Sequence, residues 1–470
     1  MRLPLTPLGL LGFVACAAVA LASCSNGTSG PSSAGYSSGA GGGGNKGPGT
    51  FGSGTGGGYT GDGGPCRNLQ CSEVDCSSKG LAADATTVTG NVYDPAGQNP
   101  VYNAIVYIPN DPVKPFTSGV VCDKCGVLTT GNPVVSTLSD ATGHFELRNA
   151  PAAKNVPLVI QIGKWRRQTM LASVNACSEN PITDRNLTRL PANQSEGDLP
   201  QIALATGGCD AFECLLRKIG VADSEFTAST GPGRVHVYQG LNGMGMYQSA
   251  PSTGLWSDVA AMKKYDLVIN SCECAEHAEE KTAAMLQNHL DYTTAGGRVF
   301  DTHYNYFWVN HGPAPLPNTA TFAPGTPGPD ATTATVDTSF PKGDAFATWL
   351  VTAGASTVKG QIPITQAKYD VTGVNPPSTR WVFGSNGSTP NVFHYTFNTP
   401  VGAADDAQCG KVLFSDFHAA AGSNFQQVPF PMECNGNPLT PQEAALEFML
   451  FDLSSCVQVE TQPPVPPVTK

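Results

Sequence analysis

A chain of 470 residues is too long for one ordinary core and predicts two or three domains. Its 53 Gly and 38 Pro, roughly 19% of the chain against an average near 12%, predict abundant turns, and charged residues are only 13%, about half the usual share. A formal net charge of −11 leaves no basic face to neutralise a phosphate backbone, so no nucleic acid partner is expected.

The opening segment, MRLPLTPLGLLGFVACAAVALASC, has one basic residue, Arg2, then an apolar run to Ala22 that ends in small residues. That pattern reads as a signal peptide over 1–23 rather than a transmembrane helix. Leu21, Ala22, Ser23 and Cys24 resemble the bacterial lipobox, in which cleavage before the Cys leaves a first residue whose thiol is lipidated. The resemblance implies lipidation at Cys24. In such lipoproteins an Asp after the Cys retains the protein at the inner membrane; Ser25 stands here, so the implied location is the outer membrane or cell surface, held to the membrane by acyl chains. Residues 25–64 carry 18 Gly and 7 Ser, with Lys46 and Asp62 as the only charges, and cannot build a core. As a flexible chain they would span about 35 Å, so 24–64 is expected to be the lipidated Cys and a disordered tether.

With Cys16 in the signal and Cys24 as anchor, 13 of the 15 cysteines remain for an oxidising compartment, where disulfides are the default. Cys66, Cys71 and Cys76 mark a Cys-rich segment over 65–83. Cys122 and Cys125 form CDKC inside a loop-like stretch, which favours disulfides over a metal or a redox pair, because a redox pair needs a helix N-terminus to lower the thiol pKa. The odd total predicts at least one thiol that is free or paired outside the chain.

From residue 86 the apolar period becomes two. TTVTGNVYDPAGQNPVYNAIVYIPN, VVSTLSDATGHFELRNAP and VPLVIQIGKWRRQTM read as short strands broken by Gly, Pro and Asp turns, which predicts an antiparallel β-sandwich over 84–205. Gly90, Val92, Asp94, Gly97, Pro100, Ala104 and Val106, with Thr137, Asp140, Gly143, Phe145 and Leu147, resemble the carboxypeptidase regulatory-like family, a transthyretin-like sandwich. The resemblance implies a module without catalytic residues, a spacer or adhesion unit. Trp165, Arg166 and Arg167 read as an edge strand with solvated Arg, or else as a sugar-stacking patch.

Phe212, Leu215, Leu216 and Ile219 fall at helical spacing and mark a change of architecture. Apolar runs at RVHVYQG, YDLVINSC and RVFDTHY then alternate with helical stretches, which predicts parallel strands with crossovers. RWVFG, NVFHYTF and KVLFSDF follow. PQEAALEFMLFDLSS reads as a last amphipathic helix with Pro441 at its start. The expected fold is therefore multidomain, β plus α/β: an antiparallel β-sandwich followed over 206–456 by a flavodoxin-like, mostly parallel open sheet with flanking helices, then a Pro-rich tail over 457–470. YDLVINSCEC, LDYTTAGGRVFDTHY and CGKVLFSDFHA resemble the class I glutamine amidotransferase-like fold and, within it, the trehalose-utilisation-like proteins. In that family's amidotransferases the strand matched by RVFDTH ends in a nucleophilic Cys. Here the turn holds Asp301, Thr302 and His303.

Ligands of open parallel sheets collect at the carboxyl ends of the strands. Asp301 and His303 end one such strand, Asp416 and His418 another, and Cys272 and Glu273 a third. Because strand side chains alternate, Asp and His two residues apart point to the same face, which suits either a metal or an imidazole oriented by the Asp. These six are the candidate catalytic or ligand-binding residues, with Tyr304, Tyr306, Phe307 and Trp308 as candidate aromatic contacts. No metal and no cofactor is expected. The leading reading is a non-catalytic binding or envelope protein for an extracellular glycan or protein matrix. The alternatives are a hydrolase acting on a carbohydrate or amide through an Asp and His site, and a purely structural envelope protein.

Overall fold

The computed structural model describes residues 65–470 apart from 126–128, 244, 245, 247, 420–428, 468 and 470. The signal peptide over 1–23, the lipidation site at Cys24 and the tether over 24–64 lie outside the described residues. Residues 65–83 form two short 3-10 turns, tied by Cys66–Cys71 and joined to the sandwich by Cys76–Cys177.

Seven strands build the sandwich: β1 (Thr87–Asn91), β2 (Ile105–Pro109), β3 (Pro133–Leu138), β4 (His144–Leu147), β5 (Lys154–Ile162), β6 (Trp165–Ser173) and β7 (Glu179–Pro181). They form a four-stranded sheet ordered β3-β2-β5-β6 and a three-stranded sheet ordered β4-β1-β7. All pairs are antiparallel except β1 with β7. Alternate residues such as Val88, Gly90, Phe145, Leu147, Val156, Leu158 and Ile160 point inward, as the period of two requires. Trp165 is fully buried, and Arg166 is buried in a two-bond pair with Asp198 at 2.9 and 2.7 Å. The solvated Arg expected at 166 is therefore absent, because the Asp198 strand end folds back onto this edge.

The second architecture begins with β8 (Ile202–Ala205), four residues earlier than the 205/206 boundary read from sequence. Next come β9 (Phe226–Thr227), β10 (Val235–Tyr238), β11 (Leu267–Asn270), β12 (Arg298–Thr302), β13 (Ala320–Phe322), β14 (Thr332–Val336), β15 (Gln361–Ile364), β16 (Val371–Val374), β17 (Thr379–Asn386), β18 (Thr389–Thr399) and β19 (Gly410–Ser415). Ten of these form one sheet ordered β15-β14-β17-β18-β19-β12-β11-β8-β10-β9. The six strands from β9 to β19 along that order are parallel, and β18, β17, β14 and β15 extend the sheet antiparallel. β11, β12 and β19 are buried at every residue, which is why they read as continuous apolar runs. Taken in chain order, β8, β10, β11, β12 and β19 give the flavodoxin-like arrangement 2-1-3-4-5.

The Pro441–Ser454 helix is capped by a Thr440/Glu443 box and buried from Gln442 to Ser454. It is buried on all sides rather than being the amphipathic helix that the sequence pattern predicts. One side packs on the sandwich, with Tyr102 stacked on Phe448 at 5.7 Å and Trp165 edge-on to Phe451 at 5.8 Å. Trp381 of β17 closes on Phe448 from the sheet, and Trp349 of the Pro341–Thr352 helix fills the seam between them, its indole donating to the Pro100 carbonyl of the sandwich at 2.6 Å. A helix covered on both sides must be apolar or fully paired all round. Sandwich and sheet thus share one apolar core across this helix, and the described residues fall in a single compact unit.

The same seam buries a carboxyl pair. Asp94 of the sandwich and Glu447 of the helix face each other, with Asn99 Nδ2 donating to Glu447 Oε2 at 2.6 Å. Burial raises both, Asp94 to about 6 and Glu447 well above the usual carboxyl range. A carboxyl whose folded pKa is raised gives its full stability below the unfolded pKa near 4 and loses it as pH rises through about 6. Lowering the pH from 7.5 to 5.5 is therefore expected to stabilise the fold, with Asp94 contributing about 1 kcal/mol, because only the first part of its titration near pH 6 falls in this window. Asp94→Asn should flatten that part of the profile in urea titrations; identical profiles for both proteins would remove the account.

Candidate functional site

The carboxyl ends of β11, β12 and β19 deliver Cys272, His303 and His418 to one buried point. His418 Nε2 lies 3.1 Å from His303 Nδ1, and Cys272 Sγ lies 3.3 Å from the same nitrogen. Cys272 is 0% exposed, His303 7% and His418 5%. His303 Nε2 faces Asp370 Oδ2 at 3.3 Å.

Strand alternation does not place His303. The chain leaves β12 at Thr302, and His303 adopts a left-handed φ of 42° in a short 3-10 turn over His303–Asn305. Such a backbone is uncommon for a residue with a Cβ, although histidine adopts it more readily than most, and it turns the imidazole away from the face used by Asp301. Asp301 instead takes a hydrogen bond from Asn270 Nδ2 at 2.7 Å and lies 3.3 Å from His289 Nε2. It belongs to a cluster in which His289 stacks on Trp308, so Asp301 and His303 do not act together. Asp416 is one step removed: its Oδ2 accepts from the backbone N–H of Asp370 at 2.7 Å and so sets the loop that carries the Asp370 carboxyl. Burial and the nearby Asp370 charge raise the Asp416 carboxyl well above its usual range.

Glu273 is buried and spent on structure, accepting from Lys281 Nζ at 2.7 Å and from the Leu241 backbone at 2.8 Å. Of the four aromatics, Tyr304 alone borders the cluster, half-buried with its ring 4.0 Å from that of His303. Tyr306 donates to Glu276, Phe307 stacks on His311 at 4.1 Å, and Trp308 is fully buried edge-on to Trp256. Those three pack into the core rather than face a ligand.

The floor of the site is rigid. Asp210, after β8, accepts from Thr302 Oγ1 at 2.5 Å and from the Ala419 backbone at 2.8 Å, so one buried carboxyl joins the ends of β12 and β19. Cys209–Cys274 joins the loops after β8 and β11. Gly207 lies so close to the Cys272 carbonyl that a Cβ there would fall 2.2 Å from its oxygen, which only glycine permits.

Burial also sets the protonation states. It pushes the Cys272 thiol up to about 12, against smaller lowering by backbone N–H groups of Tyr304 and Cys274. It pulls His303 below the usual imidazole range, against the Asp370 carboxylate, and pulls His418 down further, helped by His303 and Lys368. At neutral pH the cluster is a thiol beside two neutral imidazoles.

Asp370 was not among the sequence candidates. It lies in AKYDVTG between β15 and β16, where a lone Asp before a short strand carries no signal of its own.

No family model and no curated protein sequence matches the chain. Among solved structures, a cytoplasmic protein from Salmonella typhimurium is similar at 10% identity, covering 55% of this chain and 100% of its own, with a TM-score of 0.31. A putative ThuA-like protein from Bacteroides uniformis is similar at 10% identity, covering 53% and 90%, with a TM-score of 0.29. A cohesin–X-dockerin complex from Acetivibrio cellulolyticus is similar at 18% identity, covering 31% and 78%, with a TM-score of 0.15.

Proposed function

We propose that this chain is an exported, lipid-anchored protein of the outer membrane or cell surface that binds an extracellular glycan or matrix component without turnover. The observation that carries the binding reading is the convergence of Cys272, His303 and His418 beside half-buried Tyr304 at the strand ends. An aromatic face next to polar groups suits a sugar ring. The anchor rests on the lipobox-like Leu21–Cys24, and a regulatory-like sandwich would space the α/β domain from the tether. Binding is preferred to turnover because the one thiol at the site is 0% exposed and held protonated.

A hydrolase is the second reading, favoured by the line Cys272, His303, Asp370 at 3.3 and 3.3 Å, which has the order of a nucleophile, a base and its orienting acid.

The test uses envelope preparations carrying the full chain, incubated with insoluble cellulose, chitin or peptidoglycan. The wild type should sediment with one of them and release no soluble sugar. Cys24→Ser should move to the soluble fraction and still sediment, whereas His303→Ala should stay anchored and lose sedimentation. Membrane retention of Cys24→Ser after carbonate washing would sink the anchor, and wild-type sedimentation of His303→Ala would sink the site.

A further inference from the structure

Three donor atoms of metal-ligand type meet at the end of the parallel strands, and hydrogen bonding does not satisfy them together. With the His303 proton placed on Nε2, the nitrogen 3.3 Å from an Asp370 Oδ2 otherwise unpaired among the described residues, Nδ1 has a single lone pair, yet it faces both Cys272 Sγ at 3.3 Å and His418 Nε2 at 3.1 Å. One of the two is necessarily left facing an occupied nitrogen. Cys272 is also the one cysteine of the thirteen from Cys66 onward without a disulfide partner.

We propose that Cys272 Sγ, His303 Nδ1 and His418 Nε2 are the protein ligands of a zinc-class divalent cation whose fourth position is open to an oxygen donor. This deepens the binding reading above and rests on it only for what fills that fourth position. The three donor atoms lie within 4.8 Å of one another. Tetrahedral zinc with bonds of about 2.3 Å to sulfur and about 2.05 Å to nitrogen has S···N and N···N edges of about 3.5 and about 3.3 Å. The observed 3.3 and 3.1 Å need only a slight opening to receive the ion. The cation displaces the Cys272 thiol proton to solvent on binding, and the resulting thiolate with two imidazoles selects a borderline-soft cation; magnesium and calcium prefer oxygen cages. Three protein ligands with a fourth position held by water or substrate is the arrangement of catalytic zinc sites, whereas structural sites close all four, so a filled fourth position here marks a ligand-binding centre and is also what the hydrolase reading would use.

Asp370 completes the centre without touching the ion. A ligating imidazole usually donates its other N–H to a carboxylate, which fixes the tautomer that leaves the ligating nitrogen free. Asp370 Oδ2 lies 3.3 Å from Nε2 on the far side of His303, buried with no hydrogen-bond partner of its own among the described residues, so a small turn of the ring on seating the ion would complete that bond; its backbone is held by Asp416. The Asp416 side chain is thus a support two steps from the ion.

The test is metal binding by the purified full chain. After dialysis against zinc and then against buffer, mass spectrometry should find one zinc per chain. Cobalt(II) in its place should give visible d–d bands with a thiolate-to-cobalt charge-transfer band in the near ultraviolet. Cys272→Ser should remove the charge-transfer band and His418→Gln should remove stoichiometric uptake. Asp370→Asn should weaken affinity about 10- to 100-fold and keep the band. A wild-type protein with its thermal transition intact that takes up neither ion would overturn the proposal, and so would cobalt binding with no thiolate band. Stoichiometric metal in a protein that sediments with no polysaccharide would uphold the site and sink only the glycan reading.

Discussion

Asp452→Ala is expected to lower the unfolding free energy by about 3–5 kcal/mol, the usual effect of removing one partner from a buried ion pair. Asp452 lies on the Pro441–Ser454 helix and is met by two lysines from different elements: Lys342 Nζ at 2.8 Å, from the Pro341–Thr352 helix, and Lys411 Nζ at 3.1 Å, from β19. Glu460 closes the quartet, 3.0 Å from Lys342 and bonded to Lys411. None of the four side chains is more than 4% exposed. Two cations and two anions balance, and the lysines hold Asp452 down to about 2 despite burial. A carboxylate with a lowered pKa gives its stability above the unfolded value near 4 and loses it as pH falls through about 2, so the quartet is intact at neutral pH. Removal of Asp452 leaves two dehydrated ammonium groups facing one carboxylate. Urea unfolding at pH 7 should show a lower midpoint with an unchanged slope, and a loss under about 1 kcal/mol would mean that water reaches the lysines.

Glu460 also shows where sequence reading stops. It stands in the stretch read as a Pro-rich tail, yet it is buried in this quartet, and Val457 donates to the Asp123 carbonyl at 2.9 Å. A local pattern cannot reveal a carboxylate whose partners lie 49 and 118 residues away in the chain. The period-two strands, the parallel order and the delivery of polar residues at the ends of β11, β12 and β19 were legible, because each follows from residues within a few positions of one another. So was the odd thiol, which proves to be Cys272. The face of His303 was not legible. Counting by two assumes that the strand continues, and the chain turns at Thr302 instead. Asp301 and His303 were therefore joined on paper and separated in the fold, while Asp370 reaches His303 from the antiparallel side of the domain.

Loss of the two staples between the CDKC loop and the α/β domain is the second large effect expected. Cys122–Cys409 and Cys125–Cys456 close sequence separations of 287 and 331 residues. Because they lie side by side, each makes the other partly redundant. With one intact, the other closes a loop of only about 50 residues, worth roughly 4 kcal/mol of unfolded-chain entropy. With both gone and Cys214–Cys434 intact, the shortest path between the same points is about 110 residues, so the first closure adds nearly 5 kcal/mol and the pair about 9. The double loss should exceed the sum of the single losses. The measurement is a set of guanidinium midpoints for Cys122→Ala/Cys409→Ala, for Cys125→Ala/Cys456→Ala and for the fourfold variant. Strictly additive losses near 1 kcal/mol each would mean that the seam's apolar contacts and the bond from Lys124 Nζ to the Asp405 carbonyl at 2.7 Å already fix the loop. Losses larger for the fourfold variant than for the sum would show that the sandwich is bolted to the sheet from its side. In that case the strand-end cluster rides on one rigid body, and any ligand held there is held at a fixed distance from the sandwich.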